Sequence, residues 1–189
     1  MWGVLSNNRA LPSSEALIDQ YAKSYPQQYV NRYEWDCLSA SRDLSWSVSL
    51  IERHADNWNW RRLSRNEGLP WSEALIERYA DRWDWEGFSL NKALPWSEAL
   101  IDRYANYWDW ERLSRNEGLP WSEALIERFA NHWDWERLSR NESLPWSLVL
   151  IERFADRWKQ RPVTLNEGVY NAFSDSITPE VIHRVFAER

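Results

Sequence analysis

The groups in this 189-residue chain that could move protons, hold metal or attack an electrophile are 29 carboxylates, three histidines and one cysteine. Acid–base chemistry needs unlike groups converging on one point. The carboxylates instead recur at a fixed spacing. Glu73, Glu77 and Asp81 lie four apart, and the pattern returns as Glu98, Asp102, Asn106, as Glu123, Glu127, Asn131 and as Leu148, Glu152, Asp156. Residues four apart share a helix face, so these letters describe an acidic ridge, not a catalytic pair. His54 takes the place of an aromatic in its segment, while His132 and His183 stand isolated. No GxSxG, Walker A or HExxH pattern occurs. With Cys37 alone, an intrachain disulfide and a cysteine-rich zinc site are both excluded. The expectation is a chain with no catalytic residues, no cofactor and no metal.

The cations are arranged differently. Arg62 and Arg65, Arg112 and Arg115, and Arg137 and Arg140 are pairs three residues apart. The equivalent positions read Gly87 and Leu90 in one segment and Cys37 and Ala40 in another, so the stripe is interrupted. Arg62, Arg65, Gly87, Leu90, Arg112, Arg115, Arg137 and Arg140 are the candidate partner-binding residues. Such a stripe suits an acidic protein partner or a phosphate backbone; the plainer alternative pairs these arginines with Glu86, Glu111 or Glu136 on a solvated surface. Arg53, Arg78, Arg103, Arg128 and Arg153 form a second series, for which pairing with an acidic neighbour or stacking on a Trp is expected. The net charge of −6 is too mild to choose a class of partner.

The elements that must position these residues follow from self-similarity. Five units of 25 residues run without a gap from Trp35 to Lys159, reading W-x-x-L-S-x-N-x-x-L-P-W-S-x-A-L-I-E-R-Y-A-x-x-W-D. The 16 Trp of the chain are explained by that recurrence, at unit positions 1, 12 and 24. Residues 1–34 read as an N-terminal capping repeat that carries eight extra residues near Pro26–Glu34, with Ser13, Gln20 and Tyr25 where the others have Trp, Arg and Trp. Residues 160–189 read as a degenerate C-terminal capping repeat. There Val163, Asn166 and Gly168 echo the unit, and Thr178–Arg189 is expected to form one more helix.

Each unit predicts two helices. In Trp60–Asp84 the longer starts after Ser72, whose hydroxyl can satisfy an orphan N–H, and Leu75, Ile76, Tyr79, Ala80 and Trp83 make its apolar stripe. The shorter starts at Trp85, with Asp84 as its cap. Trp83 and Trp85 can both face a core only if the chain turns at Asp84. Asn66, Asn91 and Asn116 are expected to end the short helices in a left-handed turn. The Trp side chains are expected to be the mortar of the stack, with Trp46, Trp71, Trp96, Trp121 and Trp146 partly exposed.

The fold expected is all-α, an α-solenoid of stacked two-helix repeats in a single domain over 1–189. Units of the form L-P-W-S-x-x-L-I and W-x-x-L-S-x-N resemble short Trp-rich helical tandem repeats of bacterial and large-virus proteins, most without an assigned activity. The resemblance covers residues 2–159 well and 160–189 poorly. It implies an α-solenoid with a binding role and brings no catalytic residues. No apolar run approaches the ~20 residues that span a bilayer, and Met1 to Ser14 lacks the order of a signal peptide. A cytoplasmic protein-binding module is therefore expected, with nucleic-acid binding along the arginine stripe as the alternative, or a ridge acting as an acidic decoy for a DNA-binding protein.

Overall fold

A computed structural model describes residues 15–24 and 32–173, and every regular element among them is a helix. In chain order these are α1 Glu15–Ser24, α2 Arg32–Ala40, α3 Val48–Arg53, α4 Trp60–Ser64, α5 Glu73–Arg78, α6 Trp85–Phe88, α7 Glu98–Arg103, α8 Trp110–Leu113, α9 Glu123–Arg128, α10 Trp135–Leu138, α11 Leu148–Arg153, α12 Gln160–Thr164 and α13 Glu167–Phe173. The expected helix over Thr178–Arg189 lies outside the described residues, as do residues 1–14 and most of the Pro26–Glu34 insertion. The last residues of that insertion belong to α2, which starts at Arg32, ahead of Trp35, whereas α4, α6, α8 and α10 start at their Trp.

Capping sets the helix starts. Ser47, Ser72, Ser97, Ser122 and Ser147 all have extended backbones, and their hydroxyls accept from the N–H of Leu50, Leu75, Leu100, Leu125 and Leu150 at 3.0–3.2 Å. The short helices are capped in the same way by Asn59, Asp109 and Asp134, which accept from the N–H of Arg62, Arg112 and Arg137. Asp84 has the same turning backbone, φ −80° and ψ 97°, without the side-chain bond. The turn required by the Trp-Asp-Trp junction is thus present, with Trp83 buried and Trp85 half-buried. The helix that follows the serine cap in each unit is shorter than its apolar stripe. α5 stops at Arg78, and tighter bonds such as Arg82 N–H to Tyr79 O at 2.9 Å swing Trp83 beneath it.

The chain divides into two compact units, Met1–Pro95 and Trp96–Arg189, and the same repeat geometry appears within each. In the first, α4 packs on α2 and α6 on α4; in the second, α13 packs on α12. Leu75 and Ile76 with their equivalents, and Leu63, Phe88, Leu113 and Leu138, are almost wholly buried. The Trp of positions 1, 12 and 24 meet inside one repeat. Trp83 lies 4.7 Å from Trp60 and 5.2 Å from Trp71, and Trp133 lies 4.9 Å from Trp110 and 5.0 Å from Trp121. These edge-on and tilted contacts are the geometries aromatic quadrupoles favour. The indole N–H of each central Trp donates to a carbonyl of its own repeat, such as Trp83 to Ile76 O at 3.1 Å.

Small polar residues add bonds within a repeat and between repeats. Within one repeat, Ser64 donates to Trp60 O and accepts from the N–H of Asp84; Ser139 does the same with Trp135 O and the N–H of Lys159. Asn66 Nδ2 donates to Ser39 O and Ser41 O, and Asn166 Nδ2 to Ser139 O and Asn141 O, one repeat back. This corrects the expectation of a left-handed turn at these asparagines. Among the described residues no side-chain-bearing residue and no glycine has a positive φ. Asn66 Oδ1 instead accepts from Gly68 N–H at 2.9 Å in an Asx turn, and Gly68 is needed for closeness: a Cβ there would sit 2.7 Å from Arg42 O of the preceding repeat.

Candidate interaction surfaces

The acidic ridge takes part in the linkage between repeats. Arg128 pairs with Asp102 at 2.8 Å, Arg153 with Glu127 at 2.9 Å, and Arg78 with Glu52. Each guanidinium thus reaches the ridge carboxylate of the repeat before it. Ser147, an N-cap, donates to Glu123 at 2.8 Å, using the ridge residue one turn earlier. Arg82 holds Asp56 at 3.0 Å and lies 5.5 Å over the Trp60 ring; Arg157 bonds Asn131 and lies 5.5 Å over Trp135. Pairing and stacking were both expected of arginines on this face. The stacking on Trp falls to Arg82 and Arg157, whereas Arg78 and Arg128 pair with the ridge and lie 5.9 Å and 5.6 Å over the neighbouring Tyr79 and Phe129 rings.

The N-terminal capping repeat joins this ladder through α1. Arg53 bonds Asp19 at 2.5 Å, and buried His54 bonds the other Asp19 oxygen at 2.8 Å. The separation from Asp19 to Arg53 is 34 residues where Glu52 to Arg78 is 26, the difference being the eight-residue insertion. Hydrogen bonds from Arg53 and then from His54 hold the Asp19 carboxyl down to about 2. His54 is therefore a structural ligand of a carboxylate, as its core position suggested, and His132 is exposed beside the Trp110 ring at 4.7 Å. His183 lies outside the described residues.

The short-helix stripe is exposed but not bare. Arg65 reaches Glu86 at 3.1 Å, Arg140 reaches Glu136 at 3.0 Å, and Arg137 pairs with Glu111 of the repeat before it. Arg112 pairs with Asp109, the cap of its own helix. Exposed pairs of this kind contribute ~1 kcal/mol or less, so they order the side chains without removing them from use. Arg115 is exposed and makes no ion pair among the described residues. The interruption has a physical cause in its first half. Gly87 is buried, and a Cβ there would sit 2.9 Å from Arg65 Cγ, so glycine lets the Arg65 side chain lie across α6. Gly87 therefore offers no side-chain surface of its own, while Leu90 beside it is 41% exposed.

A departure from the repeat lies where α2 meets α4. An open cleft of about 460 Å³ is bordered by Arg42, Arg61, Arg62 and Arg65, with Asp36 and Ala40. Neither Arg42 nor Arg61 was singled out by the sequence reading, because only the contact of two repeats brings them together. The clue available in the sequence was a change of sign, Arg61 standing where Glu86, Glu111 and Glu136 stand in later units. Trp46, Trp71, Trp96 and Trp121 are half-buried as expected, but Trp146 is buried. No helix among the described residues is long and apolar enough to cross a membrane. Comparison of the chain with protein-family models, with curated proteins and with solved structures finds no match.

Proposed function

We propose that the chain is a non-enzymatic, cytoplasmic protein–protein interaction module, a scaffold, inhibitor or immunity-type binder, that recognises one partner with its short-helix face. One observation carries this reading. The outward positions of the longer helices are engaged in repeat-to-repeat bonds, whereas those of the short helices change from unit to unit above a residue that stays buried. Cys37 and Ala40, Arg62 and Arg65, Gly87 and Leu90, and Arg112 and Arg115 occupy the same two positions, yet the Leu or Phe next to them stays buried. Positions that vary while their scaffold does not are where a repeat array can encode a partner.

The test is Arg62→Glu, Arg112→Glu and Arg137→Glu together, assayed by capture of the native partner from host lysate with and without nuclease. Loss of a captured protein, with helicity by circular dichroism unchanged, is the expected result. Undiminished capture by the triple variant would remove the short-helix face from the account. Capture that disappears with nuclease, and binding that weakens steeply with salt, would put nucleic acid on the stripe instead. The decoy reading draws little support from the ridge, since its carboxylates face the arginines of adjoining repeats.

A further inference from the structure

The cleft between α2 and α4 combines three departures from the commonest residues of the unit. Among the five full units, position 2 is acidic in Asp36, Glu86, Glu111 and Glu136 and basic only in Arg61. Position 8 is Glu67, Glu117 and Glu142 in three units but basic in two, as Lys92 and as Arg42, which borders this cleft. Position 6, an arginine in three units, is Ala40 here, and the missing side chain opens the space that the guanidiniums border. Two sign changes and one truncation meet at a single place.

The guanidiniums there are only loosely held. Arg61 has its carboxylate contact at 3.8 Å, to Asp84, and Arg62 at 3.9 Å, to Asp36, both beyond hydrogen-bond reach. Arg61 is 70% exposed. Arg42 and Arg65 are anchored from outside the cleft, to Glu67 at 2.9 Å and Glu86 at 3.1 Å. Asp36 is the one carboxylate bordering the cleft, and its other oxygen accepts from Asn59 Nδ2 at 2.7 Å. Two anchored guanidiniums thus flank two whose donor forks have no close carboxylate. Guanidinium forks match the oxygens of a phosphate, with two parallel N–H···O bonds to each.

We propose that this cleft binds the dianionic phosphate monoester of a phosphorylated side chain on a partner protein, with Arg61 and Arg62 as its direct ligands. The site deepens the short-helix reading and rests on it for the nature of the partner. A single phosphate fits better than a nucleic-acid backbone, because among the full units position 2 is basic at this cleft alone. A backbone would call for the same cations at each repeat.

The experiment titrates the full chain with a short uncharged peptide bearing one phosphoserine, following the arginine Nε–H resonances by NMR and the affinity by calorimetry. Saturable binding is expected, with no binding of the unphosphorylated peptide. Arg61→Glu should weaken it at least tenfold, and Asp36→Asn should strengthen it severalfold by removing the competing carboxylate. Arg153→Glu, an exposed residue of the other compact unit with the same change in charge, should leave it unaltered. Affinity should also fall between pH 7.5 and pH 5 as the monoester, with a pKa near ~6, takes up a proton. Equal losses in Arg61→Glu and Arg153→Glu would reduce the effect to net charge and overturn the site. So would an oligonucleotide that binds equally well with and without a 5′-phosphate. Partner capture that survives Arg61→Glu but fails in the triple variant would overturn this site while leaving the short-helix reading intact.

Discussion

At the scale of single residues, the buried asparagines do more than their size suggests. Asn141 is 4% exposed; its Nδ2 donates to Ser114 O at 3.1 Å and its Oδ1 accepts from Ser143 N–H at 3.0 Å. One amide side chain thus shapes its own loop and reaches the preceding repeat. Asn141→Ala would leave the buried Ser114 carbonyl without that partner, at ~1–3 kcal/mol, and would free the part-buried Ser143 N–H to water. We expect the variant to lower the urea midpoint with little change in helicity. A midpoint equal to that of the parent would mean that water replaces the amide and that the asparagine ladder is not a source of cohesion. Trp83 contributes by a different route, through apolar area and ring contacts. Its replacement by Ala is expected to cost ~3–5 kcal/mol through the cavity it leaves, measured by the same unfolding titration.

Between elements, the attachment of α1 to α3 has its own dependence on acid. The folded Asp19 carboxyl titrates at about 2 and not at its ordinary 3.8, because Arg53 and His54 hydrogen-bond its ionised form. A value lower in the folded state than in the unfolded one means stability that is present above ~pH 4 and drains away toward ~pH 2. The melting temperature of Asp19→Asn should therefore lie below that of the parent at neutral pH, and the two should converge on acidification through that window. A gap that stayed constant would show that the ion pair contributes nothing and that only packing was lost. Much of this was open to sequence reasoning. The serine caps, the turn at Asp84 and the buried Leu-Ile pairs follow from residues within four of each other. The partner of Arg53 does not, since it lies 34 residues away across the insertion.

For the whole molecule, the 25-residue period is a statement about cohesion. Within each compact unit, neighbouring repeats are joined by the same asparagine and arginine bonds, so an integral repeat is removable and a fraction of one is not. Deleting Trp110–Asp134 joins Asp109 to Trp135 and leaves a capping aspartate ahead of α10. The shortened chain is expected to keep its helical content per residue and to unfold cooperatively with a modestly lower midpoint. Deleting only 110–121 removes a short helix without its partner and should abolish cooperative unfolding. Identical behaviour of the two deletions, measured by circular dichroism in urea, would deny that the 25-residue unit is the physical one.

The sequence by itself determined the period, the all-helical class, the helix starts and the aromatic core of each repeat. All of these depend on hydrogen bonds and apolar spacing within one unit, and the composition of the unit states them directly. The tertiary structure alone decided what lies between units: that Asn is a link and not a helix terminator, that the acidic ridge faces the arginines of adjoining repeats, and that Arg42 and Arg61 meet across one cleft. The hydrogen bonds among those contacts join residues about 24 to 27 apart. Their partners depend on the offset at which one repeat stacks on the next, and a periodic sequence reads the same at every offset.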